Sequence, residues 1–497
     1  MYIKPVCNIV RSGNLKTISL KMSSIYFIGI GGTAMASVAV ALSHAGHAIT
    51  GSDSQLYPPM STYLEDHNIR YFNGFSAEHI KHASPDVVVV GNAISRGNVE
   101  LEYALNHHIE LASMPYLVKE HLIGNNTSIV VTGTHGKTTT TSLIAWILEH
   151  GGLKPGFLVG GIPENFSIGC RASGRSDEGF FVSEGDEYDT SFFDKRSKFL
   201  LYRPDIAIIN NIEFDHADIF NSIEDIKRSF RLFVNLIPEN GALFVNGDDP
   251  VAVEIASGAF CNVVRFGLQT DSEWSAQNIS LEGEASSFDV LYKNTLLGTV
   301  SVPLFGNHNI MNALAAVAAA TRTGLPFEAI RQSMALFKRP KRRMEIIGTF
   351  PGNITLVEDF AHHPTAVRVT LEAIEQLYAG RRIVTCFEPR SNTTTRNIFQ
   401  QELSECFGPA AIVVIGKVHR PDRYPPDESL NIAQLQESLQ RQGKTVFLAG
   451  RNSTDYPDDI VAFLKSQLID DDVVILLSNG SFSNLKTLLS EYFQKNC

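Results

Sequence analysis

Gly133-Thr134-His135-Gly136-Lys137-Thr138-Thr139-Thr140 lies between a β-branched run (Ser128-Ile129-Val130-Val131-Thr132) and a helix-forming stretch at 143–149. A glycine-rich turn between strand and helix aims backbone N–H groups at one spot, at the positive end of a helix, and so makes an anion cradle. Lys137 can add a point charge on the outer phosphates of a nucleotide, and the Thr138 hydroxyl can ligate a phosphate-bound Mg2+. Val131 stands where the general phosphate loop has its first glycine, so this is the shorter G-x-x-G-K-T form.

Other segments offer chemistry at predicted strand ends. Gly29-x-Gly31-x-x-Ala34, with Asp53 about twenty residues on, resembles a dinucleotide fingerprint, whose glycines answer a pyrophosphate rather than a nicotinamide. Ser183-Glu184-Gly185-Asp186-Glu187-Tyr188-Asp189 closes an apolar run, and Glu184, first after that strand, is best placed to take a hard divalent cation. His216, within Asn210-Asn211-Ile212-Glu213-Phe214-Asp215-His216-Ala217-Asp218, sits among acids at another strand end and points to a metal or substrate role. Asn309 and Asn312 fall three apart on one helical face, so both amides can address one planar ring. Helix capping explains either Asn alone equally well. Glu358-Asp359-Phe360-Ala361-His362-His363-Pro364 contains adjacent histidines, but no further ligands at metal spacing accompany them, and zinc is not expected.

The elements that must position these residues alternate. Strand-like runs such as Asp86-Val87-Val88-Val89-Val90, Ile206-Ala207-Ile208-Ile209 and Val473-Val474-Ile475-Leu476-Leu477 are separated by helical patterns. That alternation implies parallel sheets covered by helices. After Pro364, Val367, Leu371, Ile374 and Tyr378 share one helical face, and Gly380 is the stop. A chain of 497 residues is long enough for about three domains, each with its own core. The expected units are an extension at 1–21, a Rossmann-like domain at 22–125, a phosphate-loop ATPase-type α/β domain at 126–338 and a Rossmann-like α/β domain at 339–497.

A net charge of −11 argues against a nucleic-acid partner, which needs a basic face; the cluster Lys338, Arg339, Lys341, Arg342, Arg343 is local. Six scattered cysteines without C-x-x-C pairs read as reduced thiols in a cytoplasmic protein. No apolar run reaches transmembrane length, so no membrane partner is expected. Residues 1–21 lack the apolar core of a signal peptide and read as a disordered extension.

In this order, the motifs G-T-H-G-K-T-T-T, E-x-D-E-x-D, N-I-E-x-D-H-x-D, G-x-H-N-x-x-N-A, K-R-R-M-E and D-F-A-H-H-P resemble the Mur ligase family, the ATP-dependent amide-forming enzymes of peptidoglycan assembly. The resemblance covers residues 22–490. The start G-I-G-G and the H-H-P are similar to the branch that uses UDP-N-acetylmuramate itself. Tyr57-Pro58-Pro59-Met60-Ser61-Thr62, Gly91-Asn92-Ala93-Ile94-Ser95-Arg96-Gly97-Asn98, Phe193-Asp194-Lys195-Arg196-Ser197-Lys198-Phe199 and Glu388-Pro389-Arg390-Ser391-Asn392 look like the members that reattach a recycled murein tripeptide. The alternative within the branch is the alanine-adding ligase of de novo synthesis.

The resemblance implies a residue map. The UDP sugar would meet Gly29, Gly31, Gly32 and Thr33, with Ser52 and Asp53 near the nucleoside. ATP would lie on Gly133, Thr134, His135, Gly136, Lys137, Thr138 and Thr139, with one Mg2+ on Thr138 and Glu184 and a second on His216. Asn309 and Asn312 would read adenine, and Arg343 and Asp359 would close over the ATP. The peptide would be received by Arg390, Ser391, Asn392 and Arg396, with His363 beside it. Lys137, Glu184, His216 and Arg343 would be the catalytic set. Other family members carry a carbamylated lysine after the D-H-x-D motif; Ser229-Phe230-Arg231-Leu232-Phe233 has none, so carbamylation is not expected. The working unit is expected to be a monomer or weak homodimer. An NAD-dependent oxidoreductase would leave the lysine-bearing loop unexplained, and a nucleotide-gated binding protein would hydrolyse ATP without needing an amine.

Overall fold

The computed structural model describes residues 22–174, 178–268, 271–450 and 456–495. The expected extension at 1–21 lies outside the described residues.

Three sheets organise the chain. The first contains β1 (Ser24–Ile28), β2 (Ala48–Asp53), β3 (Arg70–Asn73), β4 (Val87–Val90) and β5 (Glu110–Ala112), in the order β3-β2-β1-β4-β5. All its pairings are parallel. The order reverses between β1 and β4, the kind of switch point at which open α/β sheets leave a crevice. The small residues of the helix Thr33–His44 let it lie close on this sheet, and Ser37, Ala39 and Ala41 are fully or nearly fully buried.

The second sheet has ten strands: β6 (Thr127–Thr132), β7 (Gly156–Leu158), β8 (Cys170–Arg171), β9 (Phe180–Glu184), β10 (Ile206–Ile209), β11 (Ala242–Asn246), β12 (Asn262–Gly267), β13 (Trp274–Glu282), β14 (Ala285–Tyr292) and β15 (Thr295–Val302). Its centre runs β11-β10-β6-β9-β7, all parallel. These strands are apolar without alternation because helices cover both faces. The alanine-rich helix Asn307–Thr321 packs along Lys137–His150, and small side chains permit that approach.

The parallel expectation fails at both edges of this sheet: at one, β8 pairs antiparallel with β7. At the other, β13, β14 and β15 form an antiparallel meander. Each connection is two residues, Gly283-Glu284 and Lys293-Asn294, too short for a crossover helix. Lys293 and Asn294 both have positive φ, 49° and 62°, as a type I′ hairpin turn requires.

The third sheet contains β16 (Glu345–Phe350), β17 (Ile354–Asp359), β18 (Ile383–Phe387), β19 (Ala410–Ile415), β20 (Thr445–Leu448) and β21 (Val473–Leu477), in the order β16-β17-β21-β18-β19-β20. Only β16 is antiparallel to its neighbour. The helix Pro364–Leu377 buries Val367, Leu371 and Ile374, but it stops one residue before Tyr378, which forms its C-terminal cap. Cys170, Cys261, Cys386 and Cys406 are free and buried. Among the described residues no helix is long and apolar enough to cross a membrane.

The helix Ile223–Val234 opens on a capping box between Ser222 and Asp225 and buries Phe230 and Phe233 against Phe199, with ring centroids 5.2 and 4.9 Å apart. Phe233→Ala is expected to lower stability by about 3–5 kcal/mol, whereas Leu232→Ala, on the half-exposed face, changes it by about 0.5 kcal/mol or less. Urea unfolding of both variants checks this, and equal effects would contradict the docking of this helix.

Candidate active site

β6 runs between β9 and β10, so three neighbouring strands deliver their carboxyl ends to one place. β6 leads into the glycine loop, β9 into Glu184, Asp186 and Glu187, and β10 into 210–216. Gly133 has φ +129° and Gly136 φ +81°, both in the region that favours glycine. A Cβ on Gly136 would collide with Asn312 Oδ1 and stand 2.9 Å from Asn210 Nδ2. The loop is tied down from β10's side: Thr134 N donates to Asn211 O (3.0 Å) and His135 N to Asn211 Oδ1 (2.7 Å).

Asn309 and Asn312 share a face, as their spacing predicts, but their amides are held by the protein rather than open to a ring. Asn312 donates to Asn309 Oδ1 (3.2 Å) and accepts from the Thr140 hydroxyl (3.2 Å); Asn309 donates to Phe305 O (3.0 Å). Both side chains are buried. Here they brace the phosphate-loop helix.

Lys137 Nζ lies 2.8 Å from Glu187 Oε2 and donates to Gly133 O at 2.6 Å. Burial works against its charge, but Glu187 and Asp186 outweigh that and raise its pKa. The Thr138 hydroxyl donates to Glu184 Oε1 (3.1 Å), while Gly160 N holds the other Glu184 oxygen (2.8 Å). Asp186, Glu187 and His216 place one ligand atom each within 4.8 Å of one another. A hydroxyl, carboxylates and one imidazole make a donor set that fits Mg2+, with hard oxygens dominating. Glu187, whose Oε1 is 3.3 Å from His216 Nε2, is the member that sequence reasoning passed over in favour of Glu184.

His216 is held in a left-handed conformation (φ 55°). Burial disfavours its charged form, yet Asp215 and Glu187 prevail and push its pKa up to about 9. A second trio, His135, Glu213 and His363, forms a clasp and likewise places one ligand atom each within 4.8 Å of one another. His135 Nε2 and Glu213 Oε2 are 2.9 Å apart, His363 Nε2 faces Phe214 O at 3.1 Å, and Thr365 N donates to His363 Nδ1 at 3.3 Å. Burial and the nearby His135 lower the His363 pKa to about 4, so its ring is neutral. His363 therefore caps the helix Pro364–Leu377, whereas its neighbour His362 lines the cleft between the second and third sheets.

From the third sheet, Arg343 Nη2 donates to the Thr138 hydroxyl (2.9 Å), and its guanidinium lies 4.6 Å from the Phe360 ring centroid. Asp359 was expected over the nucleotide. It is buried, with its carboxylate oxygens accepting from Met344 N and Ala361 N, both at 2.7 Å. It fixes the turn that carries Arg343.

Between the second and third sheets opens a cleft of about 430 Å3, whose walls include Tyr188, His216, His362, Arg390, Asn392 and Arg423. Ser391 also lines it, although its hydroxyl is engaged with Thr394 Oγ1 (2.8 Å). Arg396 is not among the lining residues. Its guanidinium reaches Ala217 O and Glu428, both at 3.1 Å, and ties the two sheets together.

At the first sheet, Gly31 N donates to Asp53 Oδ2 (2.9 Å), and Gly29 N to Ser52 O (2.8 Å). Gly32 and Thr33 are exposed at the start of the helix Thr33–His44. Ser52 is the exception among the expected sugar-site residues. Its side chain is fully buried and its hydroxyl donates to Glu100, which also takes the Tyr26 hydroxyl (3.0 Å) and Ser76 N (3.0 Å). A buried carboxylate with several donors braces the sheet edge, and no sequence pattern announced it.

Comparison with known proteins follows this geometry. Residues 24–124 match the model of the Mur ligase family catalytic domain, residues 131–320 that of the Mur ligase middle domain, and residues 342–480 that of the Mur ligase glutamate ligase domain. The chain is 37% identical over 465 residues to the UDP-N-acetylmuramate–L-alanyl-γ-D-glutamyl-meso-2,6-diaminoheptandioate ligase of Haemophilus influenzae, covering 93% of this chain and 98% of that one. It is 35% identical over 459 residues to the UDP-N-acetylmuramate–L-alanine ligase of Clostridium acetobutylicum, covering 92% and 95%. A crystal structure of a murein peptide ligase from Psychrobacter arcticus superposes with a TM-score of 0.71 at 32% identity, over 95% of this chain and 99% of that one.

The His216 environment has a consequence for stability. Its folded pKa, about 9, lies above the ordinary histidine value of 6.5, so its ion pairs stabilise fully below pH 6.5 and are lost as pH rises through 9. In the absence of metal and nucleotide, the melting temperature is expected to fall between pH 6.5 and about 9.5, and more so than in His216→Asn. Parallel profiles for the two proteins would contradict this.

Proposed function

The chain belongs to the Mur ligase family, and from that premise we propose how its residues divide the reaction. It is an ATP-dependent amide-forming ligase that joins L-alanyl-γ-D-glutamyl-meso-diaminopimelate to UDP-N-acetylmuramate. We assign the sugar nucleotide to 22–125, ATP to 126–338 and the peptide to 339–497. The site of work is the cytoplasm, where ATP is supplied and the buried thiols stay reduced.

One observation supports the reading above all others. The lysine of a phosphate loop, a cluster of carboxylates and an arginine-bearing cleft meet where the carboxyl edges of two sheets face each other. Forming an amide from a carboxylate requires a better leaving group than water. The lactyl carboxylate oxygen of the sugar nucleotide attacks the γ-phosphorus of ATP, the bond to ADP breaks, and an acyl phosphate results. The peptide α-amine then attacks that carbonyl carbon, the carbon–oxygen bond to phosphate breaks, and the ammonium proton leaves with the nitrogen's conversion to amide.

Such chemistry asks the protein for position and charge rather than a nucleophile. Within the loop Gly133 to Thr139, Gly136 to Thr139 at the start of the helix cradle the phosphates through backbone N–H groups, and Gly32 and Thr33 do the same for the pyrophosphate of the UDP sugar. Lys137 and Arg343, the latter bonded to the Thr138 hydroxyl, bring positive charge to the transferred phosphoryl group. Thr138 and Glu184 would hold one Mg2+, and His216 with Glu187 and Asp186 a second; such ions would neutralise charge on the phosphates. Arg390 and Asn392 receive the peptide.

A second reading, alanine addition, is favoured by the Clostridium acetobutylicum relative. ADP release with Mg-ATP and UDP-N-acetylmuramate separates the two. Turnover is expected with the tripeptide, at a kcat/KM at least about 100-fold above that with L-alanine. Lys137→Ala is expected to lower kcat by about 10³ or more. Turnover with alanine alone would replace the tripeptide reading with the second one.

A further inference from the structure

The cleft contains more positive charge than one anchoring arginine requires. Arg390 is joined at its wall by Arg420 and Arg423, from the loop after β19. Arg420 has no protein partner for its guanidinium among the described residues, and its backbone is held in a left-handed conformation, φ 49°. Arg423 donates to Asn392 Oδ1, so one face of the amide that meets the cleft is set by a guanidinium. Asp218 also faces the cleft, but its Oδ2 is taken by the Asn392 amide (2.7 Å) and the Tyr188 hydroxyl. Glu388 is buried, with one oxygen accepting from the Ser478 hydroxyl and the other 3.5 Å from Arg390 Nη1. The positive excess is felt locally: burial and then Arg390 and Arg420 lower the pKa of His419, which lies on the same wall. All this stands in a chain whose net charge is −11.

The loop is built to hold its shape. His419 N donates to Pro389 O (3.0 Å), joining the loop after β19 to the loop after β18. Arg423 N donates to Arg420 O (3.0 Å), which closes a turn that presents both guanidiniums on one side. Rigid donors lose little entropy on binding.

We propose that Arg420 and Arg423 are specificity-determining residues that bind the carboxylates at the far end of the acceptor peptide. The inference rests on the tripeptide reading and deepens it. The γ-linked tripeptide retains three free carboxylates: the α-carboxylate of D-glutamate and two on diaminopimelate. The wall carries three guanidiniums, Arg390, Arg420 and Arg423. L-Alanine has a single carboxylate and leaves two guanidiniums without a counter-charge. Guanidinium–carboxylate pairs are the directional, charge-assisted kind that discriminate by presence or absence of the anion. Arg420 and Arg423 thus select for acceptor length and charge, in a cleft that His216 also lines.

The test compares kcat/KM for the diaminopimelate tripeptide with that for the analogue ending in L-lysine, which lacks the distal carboxylate. Wild type is expected to prefer diaminopimelate by about tenfold or more, expressed in KM. In Arg420→Gln and in Arg420→Gln/Arg423→Gln that ratio is expected to shrink toward one, through a rise in KM for the diaminopimelate peptide and not through kcat. Lys417→Gln, exposed on the same loop but outside the cleft wall, serves as the control and keeps the ratio. A ratio unchanged in both arginine variants, with their melting temperatures at the wild-type value, overturns the proposal alone. No peptide-dependent turnover in wild type overturns the tripeptide reading and this proposal together.

Discussion

A buried lysine beside a buried carboxylate sets the terms for everything around it. Lys137 and Glu187 are both almost removed from solvent and lie 2.8 Å apart. A charge in that position is tolerable only with a partner, because removing either member leaves the other uncompensated in a low-dielectric setting. Glu187 is itself shared with His216, and Asp186 with Lys198 at 2.6 Å. The cluster is therefore an alternating set of charges, each stabilised by opposite neighbours. Phosphates and divalent cations are the ligands that can enter such a set without leaving it unbalanced. Placing β9, β6 and β10 side by side is what brings its members within reach.

The third sheet adds its own strand ends to the same space. β17, β21, β18 and β19 are consecutive neighbours and all parallel, so their carboxyl-end loops form one continuous edge opposite β9 and β10. Contacts cross the gap at several levels. Arg343 reaches Thr138, the Thr393 hydroxyl donates to Asp215 Oδ1 (2.7 Å), and Arg396 reaches Ala217 O. Each couples a loop of the third sheet to a residue next to the charge cluster, and Phe305 and Phe214 add an apolar contact by packing into the core of the third sheet, so the position of one sheet is sensed at the other.

The glycine loop was legible because its residues are contiguous and its chemistry depends on spacing along the chain. The three-sheet α/β architecture followed from alternation of apolar strands with helical patterns, and the family resemblance covered nearly the whole chain. Legibility ended where spacing in sequence stops reporting distance in space. Glu187 stands three residues beyond Glu184, and only the path of the chain after β9 shows that it meets Lys137 and His216. Of the adjacent histidines 362 and 363, one caps a helix and one lines the cleft, a distinction set by rotation about a single backbone unit. Asn309 and Asn312 have the predicted common face, but the neighbouring helix decides what that face meets. Arg420 and Arg423 lie in a loop without periodicity, where isolated arginines carry no pattern. The antiparallel meander was missed because two-residue turns had been passed over in favour of the dominant parallel pattern.

Gly480 forms the bed on which Arg390 lies. A Cβ at that position would overlap the Arg390 Nε, Cδ and Cζ atoms. Gly480 N is anchored to Ser478 Oγ at 2.9 Å, and its carbonyl accepts from Arg342. The absence of a side chain there is thus a shape parameter of the cleft, set from the loop after β21 rather than by the arginine itself. Descendants of this chain could move the Arg390 guanidinium, and so reshape the cleft, by changing one residue outside its lining. A laboratory search for altered acceptor scope that sampled only the residues lining the cleft would miss its most economical variable.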